Sequence, residues 1–116
     1  MKHSKYSDEE DAKRIFVDID ETICYYKGER LYEEAIPVPS RIAHINELFD
    51  VGNYIVYWTA RGIRSGIDYT ELTTSQLTQW GCKFHEVSVG EKPHFDLLID
   101  DKVQNCNTYF NDNLNL

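Results

Sequence analysis

Short apolar runs alternate with helical patterns along this chain of 116 residues, and that alternation restricts the fold more than any other feature. The runs 14–18 and 53–58 are rich in β-branched and aromatic residues, a composition typical of strands that are buried on both faces. Strands that alternate with helices indicate a parallel sheet with right-handed crossovers and helices on both faces. We therefore expect an α/β fold with a three-layer, Rossmann-like sheet.

Local signals place two helices in the chain. The first is predicted to follow Ser40, a good N-cap residue, and to end before Gly52. The second is predicted from about Asp68 to Trp80, with Gly81 as its stop.

Shorter patterns predict the remaining elements. Strands are expected over 84–89 and 96–99, and a last helix is expected from Lys102. Aromatic residues around Gly28 predict a hairpin over 25–32, which could form a flap over a site at the end of the first strand.

The length of the chain suits a single domain. We predict one folded domain over 14–111, preceded by a polar leader over 1–13 and followed by an Asn-rich tail over 112–116.

No apolar stretch approaches the roughly 20 residues needed to cross a bilayer, and the N-terminus runs into acids rather than a signal-peptide core. A cytoplasmic protein with no membrane partner is expected.

Charge and cysteine content narrow the possible partners. The net charge of -8 would repel phosphate backbones, so we expect no nucleic-acid partner. If such an acidic protein acts on a phosphate group, a cation must offset the repulsion between the two negative charges. A metal ion is therefore expected in that case. Cys24, Cys82 and Cys106 lack the close paired spacing of zinc sites or disulfide frameworks and are expected to be reduced thiols.

Two carboxylates follow the first predicted strand. Asp18 and Asp20 occupy alternate positions as the chain leaves that strand, so both side chains can face the same mouth. A divalent cation would relieve the repulsion between them. Taken alone, this motif fits an acidic loop that caps a strand equally well.

Polar residues also follow the other predicted strands. Asp100 and Asp101 would supply the further carboxylates that a hard cation prefers. Thr59 offers a hydroxyl and a backbone N–H to phosphate oxygens, and Lys92 offers a positive charge, although each alone fits a cap residue or a surface charge. Since ligands bind at the carboxyl ends of parallel strands, the four groups together predict a site for magnesium and phosphate.

In their order along the chain, the four groups resemble the motifs of the haloacid dehalogenase (HAD) superfamily. Phosphatases of that superfamily carry DxDxT, a Thr or Ser, a Lys and a terminal acidic pair. Here these elements are Asp18-Ile19-Asp20-Glu21-Thr22, Thr59, Lys92 and Asp100-Asp101. The resemblance covers residues 14 to about 111. It implies an HAD-like core that catalyses magnesium-dependent hydrolysis of a phosphomonoester.

The resemblance implies a role for each motif residue. Asp18 would be the nucleophile that forms an aspartyl phosphate, Asp20 the general acid and base, and Thr59 and Lys92 the catalytic residues that clamp the phosphate. The implied metal ligands are Asp18, Asp20 through its backbone carbonyl, Asp100 and Asp101, and which of the last two binds directly stays open. The candidate phosphate-binding or substrate-binding residues are Thr22, Thr59, Ala60, Arg61 and Lys92. Arg61 could instead be a surface arginine beside a turn.

No cap domain fits in the chain. The segments between Thr22 and the first helix, and between Thr59 and Lys92, are too short for the insertions by which HAD members usually select substrates. The site should be open unless a second copy of the chain, in a homo-oligomer, covers it. The local sequences 58–61 and 99–102 are similar to those of small phosphatases of capsule or surface-polysaccharide biosynthesis, which implies a small phosphorylated metabolite, a sugar phosphate, as substrate.

Other functions share parts of this pattern. A signalling receiver domain would place its acidic pair after the first strand, whereas here the pair comes last. A nucleotide or polynucleotide end phosphatase shares the motif set, but the acidic balance argues against a polynucleotide substrate. A non-catalytic relative is disfavoured because every motif residue is retained.

Overall fold

The computed structural model describes residues 12–116, so the predicted leader lies almost wholly outside the described residues. In chain order, the regular elements are β1 (Arg14–Asp18), β2 (Cys24–Tyr25), β3 (Ile36–Pro37), α1 (Pro39–Asp50), β4 (Tyr54–Thr59), α2 (Thr70–Gln79), β5 (Glu86–Val89) and α3 (Cys106–Phe110). A short 3-10 turn, Tyr32–Glu34, lies between β2 and β3. None of the helices within residues 12–116 is both long enough and apolar enough to cross a membrane.

Three parallel strands form the central sheet, in the order β1-β4-β5. β1 pairs with β4 so that Asp18 lies beside Trp58, and β4 pairs with β5 so that Thr59 lies beside Val89. The carboxyl ends of the three strands therefore meet at one end of the sheet. The predicted α/β fold with a parallel sheet is confirmed.

Aliphatic residues, one tyrosine and one cysteine form the buried core cluster. Ile55 and Tyr57 of β4 are fully buried, and they belong to one cluster with Ile42 of α1 and Leu77 of α2. Ile19, which directly follows β1, is also fully buried in this cluster. Because complete burial of one such side chain stabilises a fold by about 1.5–3 kcal/mol, the start of the turn after β1 is held by the core.

Both of the longer predicted helices form. α1 begins at Pro39 with Val38 as its N-cap, so the prediction of Ser40 as N-cap is wrong. The physical reason is that proline suits the first helical position, and the helix has already begun when the chain reaches Ser40. α2 ends at Gln79, and Gly81 takes the left-handed conformation, with φ 78°, that stops a helix as predicted.

The predicted strand over 96–99 does not form. This segment has no helix or strand in the described chain, and Leu97 and Ile99 are 74% and 87% exposed. An apolar run becomes a strand only when a neighbouring strand takes up its backbone hydrogen bonds, and here it pairs with no strand of the described sheet. β1 consequently lies at the edge of that sheet, with Phe16 48% exposed rather than buried on both faces.

Two other boundaries differ from the prediction. The last helix starts at Cys106 rather than at Lys102, and the side chain of Asn105 accepts a hydrogen bond from the backbone N–H of Asn107 at its start. No hairpin closes over 25–32, because Tyr25 pairs with Ile36 and Tyr32 lies in the 3-10 turn. The antiparallel pairing of β2 with β3 instead closes a longer segment, from Cys24 to Pro37. We refer to residues 24–37 as the flap.

The C-terminal residues are anchored to α1. Arg41, whose side chain is fully buried, donates from Nε to Asp112 Oδ2 at 2.8 Å and from Nη1 to the carbonyl oxygen of Thr22 at 3.1 Å. The hydrogen bond from Arg41 lowers the pKa of Asp112 to about 2. The predicted tail therefore begins with a residue that holds the turn after β1 through Arg41.

We expect Asp112→Asn to lower the melting temperature at neutral pH, because the charged partner of the buried Arg41 is lost. The lowered pKa means that this carboxylate stabilises the fold above its unfolded pKa of about 3.9 and loses that effect as the pH falls towards 2. The difference in melting temperature between wild type and variant should therefore shrink below about pH 4. Asp50→Asn breaks an exposed pair with Lys83 and is the control, with little change expected at any pH. A difference that stays constant down to about pH 2 would contradict the assignment.

Candidate active site

A tight turn directly follows β1 and separates two acidic residues. The carbonyl oxygen of Ile19 accepts hydrogen bonds from the backbone N–H groups of Thr22 and Ile23, at 3.1 and 3.0 Å. Glu21 takes a left-handed conformation with φ 61°, which is uncommon for a residue other than glycine. Asp18 at the end of β1 and Asp20 in the turn consequently lie in different surroundings.

Asp18 keeps part of its carboxylate accessible. Lys92 donates from Nζ to Oδ1 at 2.7 Å, and Thr22 donates from Oγ1 to Oδ2 at 3.1 Å. The side chain of Asp18 is still 33% exposed. Lys92 Nζ also lies 5.7 Å from the ring centroid of Trp58, a distance at which a cation is attracted to an aromatic face. The structure thus brings together three predicted site residues, Asp18, Thr22 and Lys92.

Asp20 is buried and fully engaged. Arg61 donates to both of its carboxylate oxygens, from Nη2 to Oδ1 at 2.8 Å and from Nε to Oδ2 at 3.1 Å. The hydroxyl of Tyr26, in the flap, donates to Oδ1 at 2.5 Å. Burial by itself would raise the pKa of Asp20, but the hydrogen bonds and the positive charge of Arg61 outweigh it and leave that pKa below its usual range. The carboxylate is therefore held ionised.

Thr59 faces Asp20 from the end of β4. Its hydroxyl lies 3.5 Å from Asp20 Oδ2, as donor, and accepts from the backbone N–H of Arg61 at 3.2 Å. Thr59 is buried, and its role as a phosphate clamp stays a prediction. Ala60 follows it in the loop, where its carbonyl oxygen accepts a hydrogen bond from the backbone N–H of Ile63 at 2.9 Å.

Arg61 is the residue whose environment the sequence did not reveal. The sequence predicts either a surface arginine or a substrate contact at this position, but only 1% of Arg61 is exposed. Beyond Asp20, its guanidinium donates to Thr73 Oγ1 at 3.0 Å and to Gln76 Oε1 at 2.6 Å on α2. A usable sequence signal was the polar pair Thr73 and Gln76 next to Leu77 on one helix face, because a buried polar pair needs a hydrogen-bonding partner.

Cys24 also contacts the buried carboxylate. Its thiol is free and lies 3.5 Å from both the carbonyl oxygen of Ile19 and Asp20 Oδ1. Burial raises the pKa of Cys24, and the nearby charge of Asp20 raises it further. The thiol therefore stays protonated and acts as a small core residue that donates weakly to Asp20.

The predicted acidic pair is exposed. Asp100 accepts a hydrogen bond from the backbone N–H of Lys102 at 2.8 Å, and Asp101 follows it in the segment that forms no strand. Within residues 12–116, no three His, Cys, Asp or Glu side chains lie close enough together to hold one metal ion. The set of metal ligands therefore stays a prediction.

The donors differ in how well they fit magnesium. This ion is usually held by one or two carboxylates, with waters and substrate phosphate completing an octahedron. The accessible carboxylate of Asp18 fits that role. The carboxylate of Asp20 does not, because the positive charge of Arg61 lies against both of its oxygens and would repel a cation. Its backbone carbonyl is the donor that remains for a metal.

Comparison with known proteins supports the fold. No family model and no curated protein sequence matches the chain. Among solved structures, an MCSG target protein from Vibrio cholerae is similar, with a TM-score of 0.74 and 25% sequence identity over 89% of this chain and 90% of that chain. The likeness therefore extends over nearly the whole of both chains.

Gly62→Ala should disturb the loop that carries Arg61. Gly62 has φ 87°, and a Cβ added there would lie 2.1 Å from the carbonyl oxygen of Ile67. Gly66→Ala is the matched control, since Gly66 has φ 79° but an added Cβ meets nothing within 4 Å. Both variants carry the cost of an alanine in the left-handed conformation, about 1–2 kcal/mol. Only Gly62→Ala adds the clash with Ile67, so it should lose clearly more free energy of unfolding than Gly66→Ala in denaturant titrations. Equal losses would show that the crowding at Gly62 has no energetic effect.

Proposed function

We propose that this protein is a magnesium-dependent phosphatase of the HAD type, which hydrolyses a small phosphomonoester through an aspartyl phosphate on Asp18. The observation that carries the proposal is the surroundings of Asp18. A partly exposed carboxylate at the carboxyl end of β1 is held at 2.7 Å by Lys92 and at 3.1 Å by Thr22. A nucleophile needs this combination of access and fixed orientation, together with a positive charge where phosphate oxygens would lie.

The proposal includes the finer architecture. The core would be the three-layer HAD sheet without a cap domain, in a cytoplasmic enzyme. The parallel sheet with Asp18 at the end of β1 is consistent with this arrangement. In the described chain, the flap, residues 24–37, makes up most of the segment between β1 and α1, and it is much shorter than a domain. A second copy of the chain could cover the open site.

The first chemical step uses Asp18. One of its carboxylate oxygens attacks the phosphorus atom, and the bond to the leaving oxygen breaks. The leaving oxygen takes its proton from the carboxyl of Asp20 or, when that group is ionised, from water. Lys92 donates a hydrogen bond to Asp18. When substrate binds, the ammonium group of Lys92 would move towards the incoming phosphate oxygens. Thr22 keeps the carboxylate oriented through the other oxygen.

The second step uses Asp20. A water molecule attacks the phosphorus atom of the aspartyl phosphate, and the ionised carboxylate of Asp20 removes a proton from that water. The bond between phosphorus and the carboxylate oxygen of Asp18 breaks, which releases inorganic phosphate and restores the carboxylate. The carboxylate of Asp20 is ionised at neutral pH, as a base must be, and its lowered pKa makes it a weaker base than a free aspartate. To act as the acid in the first step, Asp20 must carry a proton. Substrates with poor leaving groups depend most on this proton transfer.

The metal would be held at the accessible side of the site. Asp18, the backbone carbonyl of Asp20 and one of the pair Asp100 and Asp101 are its proposed ligands, with the second acid in support. When bound, magnesium supplies the positive charge that lets an anionic phosphate approach the carboxylates.

Hydrolysis of an aryl phosphate should require magnesium and the carboxylate of Asp18. We expect activity with magnesium, loss of activity in excess chelator, and loss of activity in Asp18→Asn, because the carboxamide is a poor nucleophile. Asp96→Asn changes an exposed acid that has no proposed role and is the control. Full activity in chelator would remove the metal from the proposal, and wild-type activity of Asp18→Asn would remove the nucleophile.

Small sugar phosphates should be better substrates than oligonucleotides that carry a terminal phosphate. The net charge of -8 opposes the approach of a polyanion, whereas a small dianion is affected less. The measurement is kcat/KM for both substrate classes at moderate salt. If the oligonucleotide gives the higher value, the enzyme is an end phosphatase instead.

A further inference from the structure

We propose that Arg61 is a positioning residue, which fixes the carboxylate of Asp20 and fastens it to α2 and to the flap, and that it does not contact the substrate. This inference rests on the proposed function, in which Asp20 transfers protons to and from the reacting groups. It gives a role to a residue that is only 1% exposed and donates to both oxygens of that carboxylate.

All donors of Arg61 are used inside the protein. A guanidinium carries five N–H groups, and the three nitrogens of Arg61 make five hydrogen bonds. The acceptors are Asp20 Oδ1, Asp20 Oδ2, Tyr26 Oη, Thr73 Oγ1 and Gln76 Oε1. With 1% of the residue exposed, no N–H group is left for a phosphate oxygen.

The contact with Asp20 fixes an orientation as well as a distance. Nε and Nη2 form two nearly parallel hydrogen bonds to the two carboxylate oxygens, at 3.1 and 2.8 Å. Such a bidentate pair defines the plane of the carboxylate, which a single bond from a lysine ammonium cannot do. Proton transfer requires this kind of fixed direction.

The other edge of the Arg61 guanidinium is hydrogen-bonded to α2. Nη1 donates to Thr73 and Gln76, both of which are buried on the same face of the helix. Movement of Arg61 would leave the acceptor atoms Thr73 Oγ1 and Gln76 Oε1 buried without the donor that they have here, which is costly. The orientation of Asp20 is therefore set by a helix that carries none of the motif residues.

The same network holds the flap. The hydroxyl of Tyr26 donates to Asp20 and accepts from Arg61 Nη2 at 3.3 Å. Gln76 donates from Nε2 to the carbonyl oxygen of Tyr32 at 2.7 Å, and the guanidinium of Arg61 lies 4.8 Å from the ring centroid of Tyr32. Arg61 is thus covered by the flap and can act on the reaction only through Asp20.

The positioning role and a substrate contact predict different kinetics. If Arg61 orients Asp20, replacing it slows the step that needs Asp20 and leaves attack by Asp18 on an aryl phosphate intact, because an aryl oxide leaves without a proton. The phosphorylated enzyme should then accumulate and kcat should fall. If Arg61 bound substrate, KM would rise and no phosphorylated enzyme would accumulate.

The experiment compares wild type, Arg61→Lys, Asp20→Asn and Arg64→Lys with an aryl phosphate and magnesium. Arg64 is an exposed arginine of the same loop, so Arg64→Lys is the matched control and should behave as wild type. For Arg61→Lys we expect kcat to fall up to about 10²-fold, KM to change little, and intact-mass analysis to show a phosphorylated protein, as in Asp20→Asn. Thr73→Val, which removes one anchor of Arg61, should shift both readouts in the same direction to a smaller extent.

Each other outcome is decisive. Wild-type kinetics of Arg61→Lys, or a raised KM without phosphorylated protein, would overturn the positioning role while leaving the phosphatase intact. If wild type itself neither turns over nor becomes phosphorylated, the proposed function fails and the inference fails with it. If Arg61→Lys does not fold, Thr73→Val decides, and its wild-type kinetics would overturn the inference.

Discussion

The buried ion pair between Arg61 and Asp20 is the interaction on which the rest of the candidate site depends. Neither charge could remain buried alone, because removing one partner of such a pair costs about 3–5 kcal/mol. The turn after β1 supplies Asp20, the loop after β4 supplies Arg61, and α2 supplies the acceptors on the far edge of the guanidinium. These three parts of the chain must therefore meet in one arrangement.

This constraint gives two neighbouring acids opposite surroundings. Asp20 is enclosed, with its carboxylate set by Arg61, whereas Asp18 remains a third exposed and touches Lys92. An enclosed, oriented carboxylate suits proton transfer, and an accessible one suits attack on a substrate. The division of roles that we propose for the two acids thus matches a structural difference, which arises in the turn that separates them, where Glu21 takes a left-handed conformation.

The parts of this arrangement that could be predicted from the sequence depend on local patterns. β1, β4 and the two longer helices follow from apolar periodicity, and the approach of Lys92 to Asp18 follows from the meeting of parallel strand ends. The segment 96–99 could not be predicted in the same way, because a strand also needs a partner and local sequence does not supply one. Burial of Arg61 depends on acceptors in α2 and the flap, which lie far from it in sequence.

The most direct test of the account is the identity of the carboxylate that is phosphorylated. Borohydride converts an aspartyl phosphate to homoserine and leaves free aspartate unchanged, so reduction during turnover of an aryl phosphate marks the nucleophile, and peptide mass mapping locates it. We predict homoserine at position 18 and at no other acid. Homoserine at position 20, 100 or 101, or turnover without any homoserine, would contradict it.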